Sequence, residues 1–249
     1  MGTDLVIEGD PLGEAFDFTL RHDGGTVPAT FWNARTPRGG GTPLTLIQHG
    51  GPFHARHDRA AWLARAVVSR TDSAVLMIDG PIHGRRRDDD PAPEKMLGAF
   101  KAHWQASPGI DDMVADWSRA LDAVIDQGWA DPARIAWLGV SMGTAYGVPL
   151  CATDPRFAAA VFGMWGTDWG HEDIMLAHAR RIRSPVLFQI KTEDAFFSNA
   201  GQRKIFDALG SLDKALKTYE GGHDLTAPGQ LDDILGFINR ALGGNETAA

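Results

Sequence analysis

The amino-acid sequence predicts an α/β fold, in which a mostly parallel sheet is covered by helices on both faces. Short apolar runs alternate along the chain with amphipathic segments of helical length, the pattern of consecutive strand–helix units. Glycine-rich or polar residues directly follow several apolar runs, as they do where a site lies at the carboxyl ends of parallel strands. A length of 249 residues is ordinary for this class, so we expect a single domain over 1–249.

The first two strands are expected to form an antiparallel hairpin. Apolar residues alternate with period two at 16–20 and 27–32, on either side of an Asp-Gly-Gly turn that follows His22. Pro28 has no backbone N–H to donate, which favours an edge position for the second strand.

Six further strands and six helices are predicted downstream. The strands are expected at the apolar runs 44–48, 74–79, 135–139, 158–163, 186–190 and 215–219. Because these runs are apolar on both faces, we expect the strands to be fully buried. Amphipathic patterning predicts helices at roughly 57–70, 111–128, 142–152, 171–181, 199–209 and 229–242.

Two segments are candidates for small cap elements, 84–110 and 166–183. The first contains three arginines, three aspartates and two prolines before an apolar stretch, and we favour a solvated excursion over a loop that overhangs the site. Arg85, Arg86 and Arg87 could bind a substrate carboxylate, but local pairing with the aspartates at 88–90 or solvation is the favoured interpretation.

Composition excludes several classes of function. A net charge of −8 argues against a nucleic-acid partner. No stretch approaches the about 18 apolar residues of a membrane span, and the first residues lack a signal-like pattern, so we expect a cytoplasmic protein with no membrane partner. The single cysteine, Cys151, allows neither an intrachain disulfide nor a cysteine-cluster metal site, and we expect a buried, inert thiol.

The stretch Gly139-Val-Ser-Met-Gly143 is the strongest indication of chemistry. It lies between a predicted strand and a predicted helix, where a serine flanked by glycines is typical of a nucleophile elbow. The sharp turn exposes the hydroxyl of Ser141 above the sheet and requires small neighbours at 139 and 143. A pattern of this kind can also arise by chance, so its assignment as a nucleophile elbow depends on the other residues at the strand ends.

A serine nucleophile needs a base and a group that orients the base, in the chain order serine, acid, histidine. Asp194 and His223 follow predicted strand ends in that order, with Glu193 as the second choice for the acid. We interpret His49 and His83 as histidines that organise loops through backbone hydrogen bonds. Asp224, the neighbour of the candidate base, is interpreted as a turn or capping residue.

Attack on a carbonyl creates an oxyanion, which two backbone N–H groups usually hold. Met142 supplies one of them, as the residue after the nucleophile. The second is expected from the His49-Gly-Gly-Pro loop, where Pro52 has no N–H, so Gly51 is the first candidate and Phe53 the reserve. The alternative for this loop is a tight turn without a ligand role.

These motifs together resemble the α/β-hydrolase superfamily, most closely its dienelactone hydrolase and prolyl-oligopeptidase-like esterase branches. The resemblance covers about 15–240 and rests on His49-Gly-Gly-Pro, Asp79-Gly-Pro-Ile-His-Gly, Gly139-Val-Ser-Met-Gly, Asp194 and Gly222-His223. It implies an eight-stranded, mostly parallel sheet and a covalent acyl-enzyme mechanism. It also implies that Ser141, Asp194 and His223 form a catalytic triad.

Two departures from those branches guide the functional prediction. Dienelactone hydrolases proper carry a cysteine nucleophile, so the serine favours ordinary ester substrates. Oligopeptidases carry a propeller domain for which 249 residues leave no room, so peptidase activity is the weaker inference.

We therefore expect a serine esterase for small-molecule acyl esters, which requires neither a metal nor an organic cofactor. The alternatives are a small serine peptidase or acyltransferase with the same triad, and a catalytically silent binding protein of the same fold. An apolar substrate pocket is expected from aromatic residues near strand ends, although any one of them could belong to the core. The pocket candidates are Phe53, Trp104, Trp165, Phe196 and Phe197.

Overall fold

The computed structural model describes residues 3–244, which form a nine-stranded sheet with helices on both faces. The strand order is β1-β2-β3-β5-β4-β6-β7-β8-β9. The strands are β1 (Asp4–Glu8), β2 (Ala15–His22), β3 (Gly25–Trp32), β4 (Leu44–Ile47), β5 (Ala74–Ile78), β6 (Ile135–Leu138), β7 (Phe157–Gly163), β8 (Val186–Lys191) and β9 (Lys214–Tyr219). The strands from β5 to β9 in this order are parallel, whereas β1, β2 and β3 are antiparallel to their neighbours.

Two apolar cores lie on opposite faces of this sheet. The helices are α1 (Asp58–Thr71), α2 (Pro93–Ala106), α3 (Ile110–Asp126), α4 (Met142–Thr153), α5 (Glu172–Ala179), α6 (Asn199–Ala208) and α7 (Gln230–Ala241). The larger core includes side chains of α2 to α6, and the smaller core includes those of α1 and α7. Successive residues of a strand face opposite ways, so Leu46 enters the larger core and Ile47 the smaller one. The predicted α/β class and the amino-terminal hairpin are confirmed.

The sheet differs from the expected one at both edges. It has nine strands in the described residues rather than eight, because Asp4–Glu8 pairs with β2 as an additional edge strand. This strand is at most half-buried and its apolar run is only three residues long, from Leu5 to Ile7, so periodicity did not identify it. At the other edge, the expectation that 215–219 is fully buried is wrong. Residues of β9 alternate between exposed and half-buried, as an edge strand allows.

Pro28 does not mark an edge, since β3 lies between β2 and β5. Its carbonyl accepts a hydrogen bond from the N–H of Asp79, so the side of Pro28 that lacks a donor faces the end of β5. The last pair of the β3–β5 ladder joins Ala29 to Ile78, and Pro28 lies just beyond it. The missing N–H therefore costs the sheet no ladder bond.

The segment 84–110 is packed rather than a solvated excursion. It contains α2, which begins with Pro93 and buries Met96, Phe100 and Trp104 on one face. Their spacing of four residues is helical, but the charged and proline-rich residues before them hid this pattern. The second cap candidate, 166–183, contains α5, of which Met175 and Ala179 are buried.

The three arginines before α2 pair in different ways. Arg87 pairs locally with Asp89, as expected. Local pairing is wrong for the other two, because carboxylates from distant elements reach them. Arg86 Nη2 lies 2.7 Å from Asp116 Oδ2 on α3, and Arg85 Nε lies 3.5 Å from the carboxylate of Asp79 at the end of β5.

The division into one domain stays a prediction, and it includes residues 1–2 and 245–249, which lie outside the described residues. Between residues 3 and 244, none of the helices combines the length and apolar character needed to cross a membrane. The cytoplasmic location and the absence of a nucleic-acid partner also stay predictions.

Candidate active site

Ser141 occupies the sharp turn between β6 and α4. Its backbone has φ 57° and ψ −124°, a combination that L-residues rarely adopt, and its N–H donates to the carbonyl of Gly163 at 2.8 Å. A Cβ atom at Gly139 would come within 2.6 Å of the carbonyl oxygen of Gly143, and one at Gly143 within 3.1 Å of that of Gln48. The two glycines thus allow the close backbone packing that holds the serine in this strained turn.

The structure brings Ser141, His223 and Asp194 into one hydrogen-bonded chain. His223 Nε2 lies 2.8 Å from Ser141 Oγ, and His223 Nδ1 lies 2.8 Å from Asp194 Oδ2. An ionised carboxylate only accepts hydrogen bonds, so Nδ1 carries a proton toward Asp194. Nε2 is then free to accept the hydroxyl proton of Ser141, which is the arrangement that a general base needs.

Backbone donors fix the carboxylate of Asp194. Its Oδ1 atom accepts hydrogen bonds from the N–H groups of Phe196 at 2.9 Å and Phe197 at 3.1 Å. The side chain is 1% exposed, which keeps water from competing for His223. Glu193, the second choice for the acid, is exposed and contributes its N–H to the carbonyl of Gly221, where it joins the acid loop to the histidine loop.

The N–H of Met142 lies at the first residue of α4, and its role as an oxyanion donor stays a prediction. The first N–H groups of a helix lack intrahelical acceptors. In α4, those of Gly143, Thr144 and Ala145 donate to the carbonyls of Val140 or Ser141. The N–H of Met142, beside the nucleophile, donates to no acceptor among residues 3–244. An anion next to Ser141 would therefore meet an unpaired donor and the positive end of the helix dipole.

Gly51 is held in a fixed position in the loop after β4. Its carbonyl accepts a hydrogen bond from His83 Nε2 at 2.8 Å, and a Cβ atom would meet Phe100 at 2.8 Å. The N–H of Phe53, the reserve donor, is occupied by the carbonyl of Gly50 at 3.0 Å. Of the two candidates, Gly51 thus remains available as the second oxyanion donor, and this role stays a prediction.

His49 and His83 hold backbone groups around the site. His49 Nε2 accepts from the N–H of Gly80 at 2.9 Å, so its proton is on Nδ1, which donates to the carbonyl of Gly50. Burial lowers the pKa of each histidine to about 3, which leaves both rings neutral at physiological pH. These contacts agree with the loop-organising role inferred from the sequence.

Two buried charges that sequence analysis did not assign to the site also organise its loops. The carboxylate of Asp79 accepts from the N–H groups of Ala55 and Arg85, which ties two loops together. The ammonium of Lys191, at the end of β8, contacts the carboxylate of Asp224. The sequence signal that could have identified Lys191 is its position at the end of an apolar run, just before the loop that carries Asp194. Asp224 also accepts from the N–H and hydroxyl of Thr226, as a turn residue does.

A cavity of about 420 Å³ opens at Ser141 and His223. Phe53 and Phe196 line it, and their role in binding substrate stays a prediction. The structure corrects the expectation for Trp104, Trp165 and Phe197, which are at most 1% exposed and are not part of its lining. Their rings pack against one another in the larger core, because a position near strand ends does not separate core aromatics from pocket aromatics.

Other reactive groups contribute no further site. Cys151 is buried, and burial raises the pKa of its thiol well above the usual value, which makes the thiol inert as expected. Within the described range, no cluster of three or more His, Cys, Asp or Glu side chains could hold a metal ion. That the protein requires no cofactor stays a prediction.

Solved structures with the same fold include named esterases. No protein-family profile and no curated protein matches the sequence. A cold-adapted esterase from an Arctic intertidal metagenomic library, in its PEG-bound complex, matches with a TM-score of 0.80 and 28% identity, over 97% of this chain and 100% of that chain. The protein has the α/β-hydrolase fold.

Two more distant relatives of this α/β-hydrolase share the fold. The acetyl xylan esterase from Paenibacillus sp. R4 matches with a TM-score of 0.67 and 17% identity, over 96% of this chain and 88% of that chain. A Mycobacterium tuberculosis puromycin-hydrolyzing peptidase matches with a TM-score of 0.69 and 20% identity. There the match spans 94% of this chain but 40% of the peptidase chain. Named esterases and a puromycin-hydrolyzing peptidase are thus among its structural neighbours.

Proposed function

We propose that this α/β-hydrolase is a serine esterase, which cleaves carboxylic esters through an acyl-enzyme intermediate. The observation that carries the proposal is the hydrogen-bonded chain from Ser141 through His223 to Asp194 at the opening of a mainly apolar cavity. The similarity of the whole chain to a named esterase supports ester hydrolysis as the reaction.

Acylation begins when Ser141 Oγ attacks the ester carbonyl. His223 Nε2 takes the hydroxyl proton, and Asp194 stabilises the imidazolium that forms. The negative charge that develops on the carbonyl oxygen is held by the N–H of Met142 and that of Gly51. As the tetrahedral intermediate collapses, the bond to the alkoxy group breaks and His223 donates its proton to the leaving alcohol.

Deacylation repeats these steps with water as the nucleophile. Water occupies the place of the departed alcohol beside His223, whose side chain is 16% exposed. His223 removes a proton from water, the resulting hydroxide attacks the acyl carbon, and Ser141 leaves with the proton that His223 returns. The carboxylic acid is released and the enzyme regains its starting protonation state.

The test compares p-nitrophenyl acetate hydrolysis by the unchanged protein and by Ser141→Ala. We expect kcat to fall by about 10⁴-fold or more in the variant, because the hydroxyl that His223 Nε2 contacts is removed. Cys151→Ala is the matched control, since its buried thiol takes no part in the reaction, and its kcat should be unchanged. Turnover by Ser141→Ala at the rate of the unchanged protein would contradict the proposal.

A further inference from the structure

We propose that the cavity is an acyl chamber between α1 and the sheet, which accepts a medium-length, unbranched acyl chain, and that Ala60 limits the chain length. This inference rests on the proposed esterase function, because it assigns the two parts of an ester to two sides of Ser141. It names a class of substrate that the triad alone does not specify.

One side of the nucleophile is closed by packed aromatic rings. The ring centroids of Trp104 and Trp165 are 4.8 Å apart, and those of Trp165 and Phe197 are 4.5 Å apart. These three side chains are at most 1% exposed. Phe197 also packs against the ring of His223, at 5.9 Å between centroids. An acyl chain could enter this side only by displacing part of the larger core, which is close-packed and resists such changes.

The cavity instead extends toward the smaller core, on the opposite face of the sheet. The side chains that form its apolar wall there are Ile47, Ala60, Leu63, Leu138, Val140 and Leu225. Ile47 and Leu138 are at most 1% exposed and lie at the ends of β4 and β6, next to the serine turn. The wall continues along α1 to the loop after His223. A space of this shape suits an extended aliphatic chain, whose burial is favourable in proportion to the apolar area removed from water.

The mouth of the chamber is apolar but accessible to solvent. Trp62 is 50% exposed and Phe196 is 38% exposed, and both line the cavity. The two charged side chains in the lining, Arg59 and Asp224, are also accessible to solvent. The charges therefore lie at the rim, where water solvates them, and the inner wall carries none. The volume of about 420 Å³ lies within the range of sites for small organic ligands, roughly 300–1,000 Å³.

The acyl part of the ester, rather than the alcohol, belongs in this chamber. The alcohol must receive a proton from His223 and leave before water can attack, so its place has to open to solvent. The acyl group stays bonded to Ser141 Oγ until deacylation is complete. The buried end of the chamber can hold the acyl group, which remains bonded to Ser141. It would hinder the release of the alcohol, which must leave first.

Ala60 has the smallest of the six side chains in this wall, so a larger side chain there would take up space in the chamber. Ala60 is 6% exposed, and it lines the chamber from the first turn of α1. Leu at this position would add three carbon atoms to the space, and Ala at Leu63, also on α1 and in the lining, would remove three. Ala61, the next residue on the same helix, does not line the cavity and offers a matched control.

The experiment measures kcat/KM for p-nitrophenyl acetate, butyrate, octanoate and dodecanoate. We expect the octanoate-to-acetate ratio to fall about tenfold or more in Ala60→Leu, because an obstructed methylene contact changes specificity by roughly 10–200-fold. The ratio should be unchanged in Ala61→Leu. In Leu63→Ala the dodecanoate-to-octanoate ratio should rise, which also tests the chamber if Ala60→Leu folds poorly.

A second series keeps the acyl group constant and lengthens the alcohol, from ethyl to octyl acetate. We expect its profile to be the same in Ala60→Leu and in the unchanged protein. Equal acyl ratios in all three variants would overturn the chamber, and a changed alcohol profile would overturn the acyl assignment. Neither result would touch the proposed function, which fails instead if the unchanged protein does not hydrolyse the acetate ester.

Discussion

The ammonium of Lys191 lies 3.4 Å from Oδ1 of Asp224, the residue that follows His223. The lysine side chain is 1% exposed, and its Nζ atom is also 3.4 Å from Oε1 of Gln230, the first residue of α7. Hydrogen bonds from Thr226 and the charge of Lys191 hold the pKa of Asp224 below its usual value. One buried cation thus links the end of β8, the histidine loop and α7.

Lys191→Met should lower kcat on p-nitrophenyl acetate by about ten- to a hundredfold. Without the ammonium, Asp224 turns toward water and the loop that carries His223 loses a fixed support, and small misplacements of a catalytic group cost this much in rate. KM should change much less, because the chamber wall on α1 is untouched. The measurement is steady-state kinetics, with thermal unfolding to establish that the variant is folded.

The matched control for that variant is Lys217→Met. Lys217 also pairs with a carboxylate, that of Asp233, but its side chain is 47% exposed. An exposed pair stabilises a protein by about 0–1 kcal/mol, so kcat should stay close to that of the unchanged protein. An equal effect of the two substitutions would contradict a positioning role for Lys191.

Asp194→Asn should lower kcat by about 10⁴-fold with little change in folding. The asparagine side chain can present an N–H to His223 Nδ1, which favours the tautomer whose proton is on Nε2, where the hydroxyl proton of Ser141 must go. Steady-state kinetics from pH 6 to 9 measure the loss. Glu193→Gln is the control, since that side chain is exposed, and it should keep kcat within about twofold. Comparable losses in both variants would show that the acid has been misassigned.

Gly139→Ala should abolish activity and destabilise the protein by several kcal/mol. Its Cβ atom would lie 2.6 Å from both the carbonyl oxygen of Gly143 and Nε1 of Trp137, and the backbone at the elbow cannot yield. Gly98→Ala on α2 is the control, because nothing lies within 4 Å of an added Cβ atom. It should stabilise α2 by about 0.5–1 kcal/mol and leave kcat unchanged. Urea unfolding measures both effects, and a folded, active Gly139→Ala would contradict the close packing described here.

The buried histidines predict how stability depends on pH. Burial lowers the pKa of His49 and His83 from 6.5 to about 3, so the unfolded chain binds protons between these values that the folded chain does not. The free energy of unfolding should therefore reach its full value above about pH 6.5 and decrease as the pH is lowered toward 3. The slope is at most about 1.4 kcal/mol per pH unit for each histidine.

Urea unfolding of the unchanged protein and of His83→Gln at pH 7, 5 and 4 measures this slope. The variant has one buried histidine fewer, so its free energy of unfolding should depend less steeply on pH, whatever its stability at pH 7. Identical slopes would mean that His83 takes up its proton in the folded state as readily as in the unfolded state.

The strand–helix order and the cluster at the strand ends could be predicted because they follow from local patterns. Ser141 lies in a motif whose glycines are required by its own backbone, and Asp194 and His223 follow the ends of β8 and β9, two strands that the sequence pattern predicts. Because the strands are parallel, their carboxyl ends place these three residues at the same edge of the sheet. Distances between them depend on sheet twist and loop packing, to which no short sequence window is sensitive.

Features that depend on tertiary packing could not be predicted from the sequence. The helix α2 was hidden because its apolar face follows a charged, proline-rich stretch, and β1 because pairing with β2 rather than burial stabilises it. The chamber is formed by ordinary aliphatic residues such as Ala60 and Leu63, which no motif distinguishes from core. Three of the large aromatic residues that the sequence suggested for the pocket pack in the larger core, on the opposite side.

Fluorophosphonate labelling followed by peptide mapping measures the reactivity of Ser141 most directly. A hydroxyl activated by His223 should form a covalent phosphonyl adduct on the peptide that contains Ser141, with loss of fluoride. The adduct should be absent in His223→Ala, and prior incubation with p-nitrophenyl octanoate should slow its formation. No adduct on Ser141 in the unchanged, folded protein, or an equal rate in His223→Ala, would contradict the account.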